Sequence, residues 1–492
     1  MKQAAGAILS SIKLDRTLRR SVSVQLYMAL RDIILAGGLR AGERLPATRT
    51  LARETGVSRT TAIDAIDRLV AEGMLESRVG AGTFVSETLD TPRPAPRPAR
   101  VPPSDSNRPR LSYAIGRAEK SYARRKWLPH EARAFVTALP ALDAFPLAHW
   151  SKLSARHLRG GRGDVMGYGQ PQGLQALRRA IATHLSALKG LTCRPEQIFI
   201  TTGAQHAFSL IGRLLLNPGD RVWMENPGAS GARNAFLSEG AEIVPVDVDE
   251  EGLVVGDGRA KAPHFRLAFV TPSHQQPLGH VMSLGRRFEL LQAAEEAQAL
   301  VIEDDYDGEF YYGNTPQPAL YGTDTGGRVL YVGTFSKSLF PSLRLGFVLV
   351  PECMIDAFDQ AFSAWVSGPP TSTQAIVADF MDEGHFATHI RLMRRLYKAR
   401  YEALMEAAHL LPDSIRLKET SSGFHTPAML DSGRDAGAVV RQAADKGVIL
   451  APLSRYCLEP TPRNGLVLGF GSATPEDIVR GIGIMRDLPA LR

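Results

Sequence analysis

The chain has 492 residues, 44% of them hydrophobic and 22% charged, so it can bury a large core, exceeds one ordinary domain and is not disordered throughout. Its three cysteines, Cys193, Cys353 and Cys457, fit no metal or redox spacing, which argues against a disulfide framework and against a metal site, and for a reducing cytoplasm. No apolar run approaches the roughly 18 residues of a membrane span, and Met1 to Arg20 lacks the apolar core of a secretory leader, so a soluble protein without a membrane partner is expected. The net charge of +7 is uneven: residues 1–110 hold 18 Lys+Arg against 11 Asp+Glu, and the remaining residues hold 40 of each. A basic excess confined to one module suits a polyanionic partner for that module, although a solvated basic face would give the same balance.

In chain order, Val24, Tyr27, Met28, Leu30, Ile33 and Ile34 follow helical spacing and stop at Gly37-Gly38. A turn through Gly42 leads to Leu45-Pro46, where proline suits a helix start, and the second helix stops at Gly56. Ser58 then caps a third helix whose apolar face is Ala62, Ala65, Ile66 and Leu69. Two helices joined by a three-residue turn containing glycine have the spacing of a helix-turn-helix. The third helix opens with Ser58, Arg59, Thr60 and Thr61, groups short enough to reach phosphates and base edges in a major groove. Leu75–Val85 reads as a hairpin turning at Gly80 and Gly82, which would be a wing.

Between Glu87 and Arg110 lie seven prolines with interleaved arginines, a composition that favours an extended, semi-rigid linker. Beyond it, short apolar runs alternate with helical patterns. The candidate strands are Ile198–Thr201, Glu242–Val248, Leu267–Thr271, Ala299–Glu303, Val329–Val332 and Gly346–Val350, with helices such as Gln172–Leu188 and Leu284–Ala297 between them. Near-continuous apolar strands separated by helices predict a mostly parallel sheet covered on both faces. After Pro370 a long helix, about Gln374–Leu410, and mixed short elements predict a smaller α+β part.

Lys337 sits in a small-residue turn just after an apolar strand, with Thr334, Ser336 and Arg344 nearby in sequence. Upstream, LVIEDDYDGEF (Leu300–Phe310) is a buried strand ending in carboxylates and a tyrosine. Pyridoxal 5′-phosphate (PLP) needs a lysine for its Schiff base, a carboxylate for the pyridine nitrogen, and hydroxyls, helix amides and an arginine for the phosphate. TTGAQHA (Thr201–Ala207) turns from strand to helix through Gly203 and could cradle that phosphate.

Two resemblances follow from these motifs. The stretch from LYMALRDIIL to GAGTFV resembles the winged helix of GntR-type transcription regulators, which implies contacts with a double-stranded DNA operator by Arg49, Ser58, Arg59, Thr60, Thr61 and the wing at Gly80. Ile63 stands where some relatives place a basic residue. YGQPQG (Tyr168–Gly173), VTPSHQQPLGH, IEDDYDGEF and GTFSKSLFPSLRLG resemble a fold-type I, class I/II aminotransferase-like domain, and the combination resembles the MocR/GabR subfamily over about residues 21–490. The implied domains are a winged helix at 20–86, a linker at 87–112 and an aminotransferase-like domain at 113–492, its large part about 150–370 and its small part about 371–492.

The resemblance implies that Lys337 forms the Schiff base, Asp304 pairs with the pyridine nitrogen and Tyr306 meets the ring oxygen. It implies that Ala204, Gln205, Thr334, Ser336 and Arg344 surround the phosphate, and that Tyr168 reaches the phosphate of the neighbouring subunit of a homodimer. The sequence departs from the pattern at three positions. Ala229 replaces an aromatic that stacks on the ring, a loss of about 1–3 kcal/mol if it compares with base stacking. Gln276 replaces an Asn beside the ring oxygen. Val467 replaces an Arg that grips a substrate carboxylate, for which Arg455 is the substitute candidate. The expected function is a DNA-binding regulator that senses PLP or an amino compound. An aminotransferase that also binds DNA and a regulator with a cofactor-free scaffold are the alternatives.

Overall fold

The computed structural model describes residues 12–18, 20–90, 133–160, 165–313 and 318–492, so the expected linker at 87–112 falls mostly outside the described residues. The chain divides into two compact units, residues 1–110 and 111–492.

In the first unit α1 (Val22–Leu35) buries Leu26, Leu30 and Ile34, and α2 (Thr48–Thr55) buries Leu51 and Ala52. Helix α2 starts two residues after Pro46, because Ala47 stays extended as its N-cap, and it ends at Gly56 with a left-handed φ of 65°. Helix α3 (Arg59–Ala71) is capped by the Ser58 hydroxyl, which accepts from the Thr61 amide at 3.1 Å. It buries Ala62, Ala65, Ile66 and Leu69, the four residues of the expected apolar face. Strands β1 (Leu75–Arg78) and β2 (Gly82–Val85) pair antiparallel into the hairpin.

In the second unit α4 (Leu147–Arg159) and α5 (Gln175–Lys189) precede an eight-stranded sheet. Its elements, in chain order, are β3 (Ile198–Thr201), α6 (Ala204–Leu215), β4 (Arg221–Asn226), α7 (Ser230–Ser238), β5 (Glu242–Asp249), β6 (Gly252–Leu253), α8 (Val255–Lys261), β7 (Leu267–Val270), α9 (Leu284–Glu296), β8 (Leu300–Asp305), β9 (Val329–Thr334), α10 (Phe335–Ser338) and β10 (Gly346–Leu349). The spatial order is β3-β10-β9-β8-β7-β4-β5-β6. Strands β9, β8, β7, β4 and β5 run parallel, whereas β10 is antiparallel to both β3 and β9. The expected mostly parallel sheet is present, with β10 and the two-residue edge strand β6 reversed, which apolar composition could not reveal. Strand β4 escapes a search for apolar runs because Arg221, Glu225 and Asn226 leave only Val222–Met224 apolar, yet Glu225 is buried.

The expected single helix over Gln374–Leu410 is two helices, α12 (Thr371–Asp382) and α13 (His385–Ala408), which follow α11 (Ile355–Trp365). The break falls at Gly384, whose φ of 78° no helix accommodates. A four-stranded antiparallel sheet closes the fold, ordered β11 (Ile415–Leu417), β12 (His425–Leu430), β14 (Gly465–Gly469) and β13 (Ala451–Pro452), with α14 (Ala436–Asp445) and α15 (Pro475–Arg486). Buried side chains of α5, α12, α13 and α15 join those of β3, β12 and β14 in one hydrophobic cluster, so the small sheet packs on the same core as the edge of the large one. Open space surrounds Gly384, so Gly384→Ala should cost only the left-handed backbone penalty of about 1–2 kcal/mol. Denaturant unfolding checks this, and unchanged stability would show that the break tolerates a side chain.

Candidate functional site

Strands β4, β7, β8 and β9 point the same way, and their last residues, Asn226, Val270, Asp305 and Thr334, lie along one edge. In open α/β sheets this carboxyl edge is where ligands bind. Lys337 stands there in α10, whose first turn is fixed by the Ser336 amide donating to the Thr334 hydroxyl at 3.2 Å. Its Nζ donates to the Ala138 carbonyl at 2.5 Å, and Ala138 itself has a left-handed φ of 70°. The cleft around Lys337 is lined by Thr137, Gln276, Tyr306, Phe424, His425, Tyr456 and Val467.

The carboxylates ending β8 have separate fates. Glu303 accepts the Leu320 and Tyr321 amides, each at 2.8 Å, and burial still pushes it up to about 7. Burial also opposes the charge of Asp305, but Lys189 at 2.8 Å overcomes it and holds Asp305 below its ordinary value, helped by the Tyr331 hydroxyl at 2.5 Å. Asp304 has no such partner. Its Oδ1 is buried without a hydrogen bond, and burial, reinforced by Asp305, Asp307 and Glu225, drives it well above the usual carboxylate range. Lys337 is near enough to pull it back in part.

Tyr306 is buried against His274: its hydroxyl donates to the His274 carbonyl at 3.1 Å and lies 3.0 Å from Nδ1. The same Nδ1 lies 2.8 Å from Asp307 Oδ2, and Nε2 lies 3.3 Å from the Thr420 hydroxyl. The His274 and His425 rings are 4.8 Å apart. Donor atoms of His274, Asp307 and His425 all lie within 4.8 Å of one another. His425 Nε2 is buried without a partner. Burial, with His274 and Lys337 adding to it, holds the His425 pKa well below its ordinary value.

The strand-to-helix turn places Gly203, with φ 98°, before the amides of Ala204 and Gln205, and the first amides of a helix have no partners within it. Gln205 Nε2 is buried and unpartnered. Arg344 is exposed, with a left-handed φ of 52°. It adds to burial in lowering the pKa of His206, so it lies beside that turn. Lys337, Tyr306, Gln276 and Val467 therefore share one cleft, with Thr334 and Ser336 in the turn that carries the lysine. Arg455 is exposed and does not line the cleft, and Tyr168 is fully exposed. Ala229 is buried as the N-cap of α7. Sequence reasoning passed over His274, Asp307, His425 and Tyr456. The first two lay inside the quoted motifs VTPSHQQPLGH and IEDDYDGEF, so the available signal was a histidine and an acid flanking the residues already chosen.

In the first unit Arg49, Ser58, Arg59, Thr60 and Gly80 are exposed and Thr61 is half-buried, its amide held by the Ser58 cap. Helix α3 thus begins with an exposed hydroxyl cluster and an arginine.

A winged helix ahead of an aminotransferase-like fold defines the class of protein. Residues 22–85 match the bacterial regulatory proteins of the gntR family, and residues 140–457 match the class I and II aminotransferases. The probable rhizopine catabolism regulatory protein MocR of Rhizobium meliloti is 40% identical over 96% of this chain and 94% of its own. The HTH-type pyridoxine biosynthesis transcriptional regulator PdxR of Corynebacterium glutamicum is 31% identical over 94% of each chain. The crystal structure of LysN, an α-aminoadipate aminotransferase from Thermus thermophilus complexed with N-(5′-phosphopyridoxyl)-L-leucine, is 27% identical, with TM-score 0.66 over 76% of this chain and 93% of that one. The chain belongs to the MocR/GabR subfamily of GntR-type transcription regulators. It is a DNA-binding regulator with an aminotransferase-like domain. Among the described residues no helix is long and apolar enough to cross a membrane.

Burial lifts Glu225 from 4.5 to about 7 despite hydrogen bonds from Thr271 and Gln275. A carboxyl raised in this way keeps its proton in the folded state after the unfolded chain has lost it, so this group's contribution to stability falls as pH rises from 4.5 towards 7. The loss is on the order of 3 kcal/mol. Glu225→Gln should flatten that part of the stability profile in urea unfolding, and a slope equal to wild type would contradict the assignment.

Proposed function

We propose that this regulator binds PLP covalently through Lys337 and changes its hold on operator DNA when the cofactor, or an amino compound reacting with it, occupies the site. One observation carries the reading: Asp304 Oδ1 is buried and unpartnered at the end of β8, with Lys337 close by. A buried carboxylate without a partner is costly, and a protonated pyridine nitrogen supplies the missing charge and donor. The residues also fit the rest of the group. Tyr306 presents a hydroxyl in the lysine's cleft, Gln205 Nε2 has no internal partner, and the Ala204–Gln205 helix start, Thr334, Ser336 and Arg344 suit a phosphate. When bound, PLP supplies an electron sink for chemistry on an amine. Asp304 would hold the ring's proton, Tyr306 would orient the ring through its oxygen, and the phosphate contacts would fix its position.

Tyr168, fully exposed in one chain, suits a contact with the phosphate of a second subunit in a homodimer, an arrangement that also matches two operator half-sites. Residues 20–86 would read DNA through Arg49, Ser58, Arg59, Thr60, Thr61 and the Gly80 wing. Residues 87–112 would link them to the sensor at 113–492, in a cytoplasmic protein. With Val467 in the cleft and Arg455 outside it, an amino compound would be held chiefly through its amine, which would join the cofactor in place of Lys337 and release the lysine as a free amine. Effector and operator are coupled only if the ligand binds the two conformations with different affinity.

Arg59→Ala should weaken operator binding by about 1–3 kcal/mol if Arg59 makes a good base contact. Fluorescence anisotropy at fixed salt checks this, and an unchanged Kd removes Arg59 from the recognition set. Lys337→Ala should keep the fold by circular dichroism but lose the visible absorption band that added PLP gives the wild type. A band persisting in the variant would mean that another lysine holds the cofactor.

A further inference from the structure

The sequence lacks the asparagine that ordinary aminotransferases place beside the ring oxygen, since Gln276 stands there. Gln276 lines the cleft with its backbone held in place: its amide donates to the Thr271 hydroxyl at 3.0 Å, and its carbonyl accepts from the Gln275 side chain at 2.9 Å. The site nevertheless contains a different polar partner for Tyr306. The His274 ring is buried, with Nδ1 2.8 Å from Asp307 Oδ2 and 3.0 Å from the Tyr306 hydroxyl, while Nε2 faces Thr420 at 3.3 Å. With Asp307 ionised, the carboxylate can only accept, so Nδ1 carries a proton forked between Asp307 and Tyr306. The tyrosine oxygen is then the acceptor from His274, and its own proton points elsewhere, at present to the His274 carbonyl at 3.1 Å. A phenol that accepts one hydrogen bond is a stronger donor of its own.

We propose that His274, held by Asp307, is a positioning residue that fixes Tyr306 as a hydrogen-bond donor to the ring oxygen of bound PLP. This inference rests on the proposed cofactor site. The two residues flank the machinery on separate elements, Asp307 two residues after β8 and His274 in the loop after β7, so the alignment is built by the sheet and not by one local turn. Other titratable groups face Tyr306 and His274: Glu225 from β4, Asp304 from β8, His425 from β12, Tyr456 and, from α10, Lys337. All remain in the variants below, so their influence is common to every measurement. A donor on the ring oxygen stabilises its negative charge and loosens the proton on the nitrogen that joins Lys337 to the cofactor. Weakening that donor must therefore raise the pH at which the nitrogen loses its proton.

The test is a pH titration of the visible band of the full-length, PLP-loaded protein. His274→Phe should raise the midpoint by about one pH unit, the size of one ordinary hydrogen bond. His274→Asn, whose amide can still donate to Tyr306, should recover part of that shift, and Asp307→Asn should move the midpoint in the same direction as His274→Phe. Tyr306→Phe should raise it as well, and adding His274→Phe to Tyr306→Phe should change nothing further, because His274 acts through the tyrosine. If His274→Phe does not fold, the Asp307→Asn and His274→Asn titrations decide the matter. Wild-type midpoints in the folded variants, or an additive double variant, would overturn the positioning role while leaving cofactor binding intact. A wild-type protein that gives no visible band with PLP would overturn both.

Discussion

Burying negative charge at the end of β8 is the constraint around which the second unit is organised. Glu303, Asp304 and Asp305 are consecutive and all buried, and alternation along a strand sends neighbours to opposite faces. The two outer residues are answered from within the protein: Glu303 by two backbone amides, Asp305 by a buried lysine from α5 and a tyrosine from β9. Those answers tie β8 to a helix, a neighbouring strand and a connecting loop, and removing Lys189 would leave Asp305 as an unpaired buried charge at a cost of about 3–5 kcal/mol. Asp305 Oδ1 is also buried without a hydrogen bond, but its Oδ2 meets Lys189 and Tyr331, whereas Asp304 has an unpartnered Oδ1 and no such ion pair, with Lys337 near it. The same strand end thus supplies a structural anchor and, in the proposed reading, the carboxylate that would meet a protonated ring nitrogen.

Much of this was legible in the sequence because it depends on local chemistry. The Ser58 cap, the Gly56 stop and the apolar face of α3 are encoded within a few residues, and the structure has all three. Lys337, Thr334 and Ser336 follow an apolar strand in one short motif, so their meeting in one turn was also readable. Long-range pairing was not. The reversal of β10 has no sequence signature, because a buried strand is apolar in either direction. Strand β4 was hidden by Glu225, a residue whose burial makes sense only once Thr271 and Gln275, both from the loop after the neighbouring strand β7, are seen to bond it. The break between α12 and α13 turned on Gly384, and a glycine within a helical pattern is compatible with either continuation or a stop.

His274 shows a different limit. Its motif was recognised, but a histidine beside a proline-rich turn gives no direction in which its ring will point. The fold supplies that direction by bringing Asp307 to Nδ1 and Tyr306 to the same atom. Val467 shows the converse, since its absence of charge was evident at once, and its position opposite Pro427 on β12 places that apolar side chain in the lysine cleft. Together they set a buried polar cluster and an apolar side chain around Lys337 in one cleft.

Everything proposed for the second unit depends on covalent attachment of PLP at Lys337. Borohydride reduction of the PLP-loaded protein, followed by peptide mass mapping, tests it most directly. The account predicts one stable cofactor adduct, on the peptide carrying Lys337. No adduct, or an adduct spread over surface lysines, would contradict it.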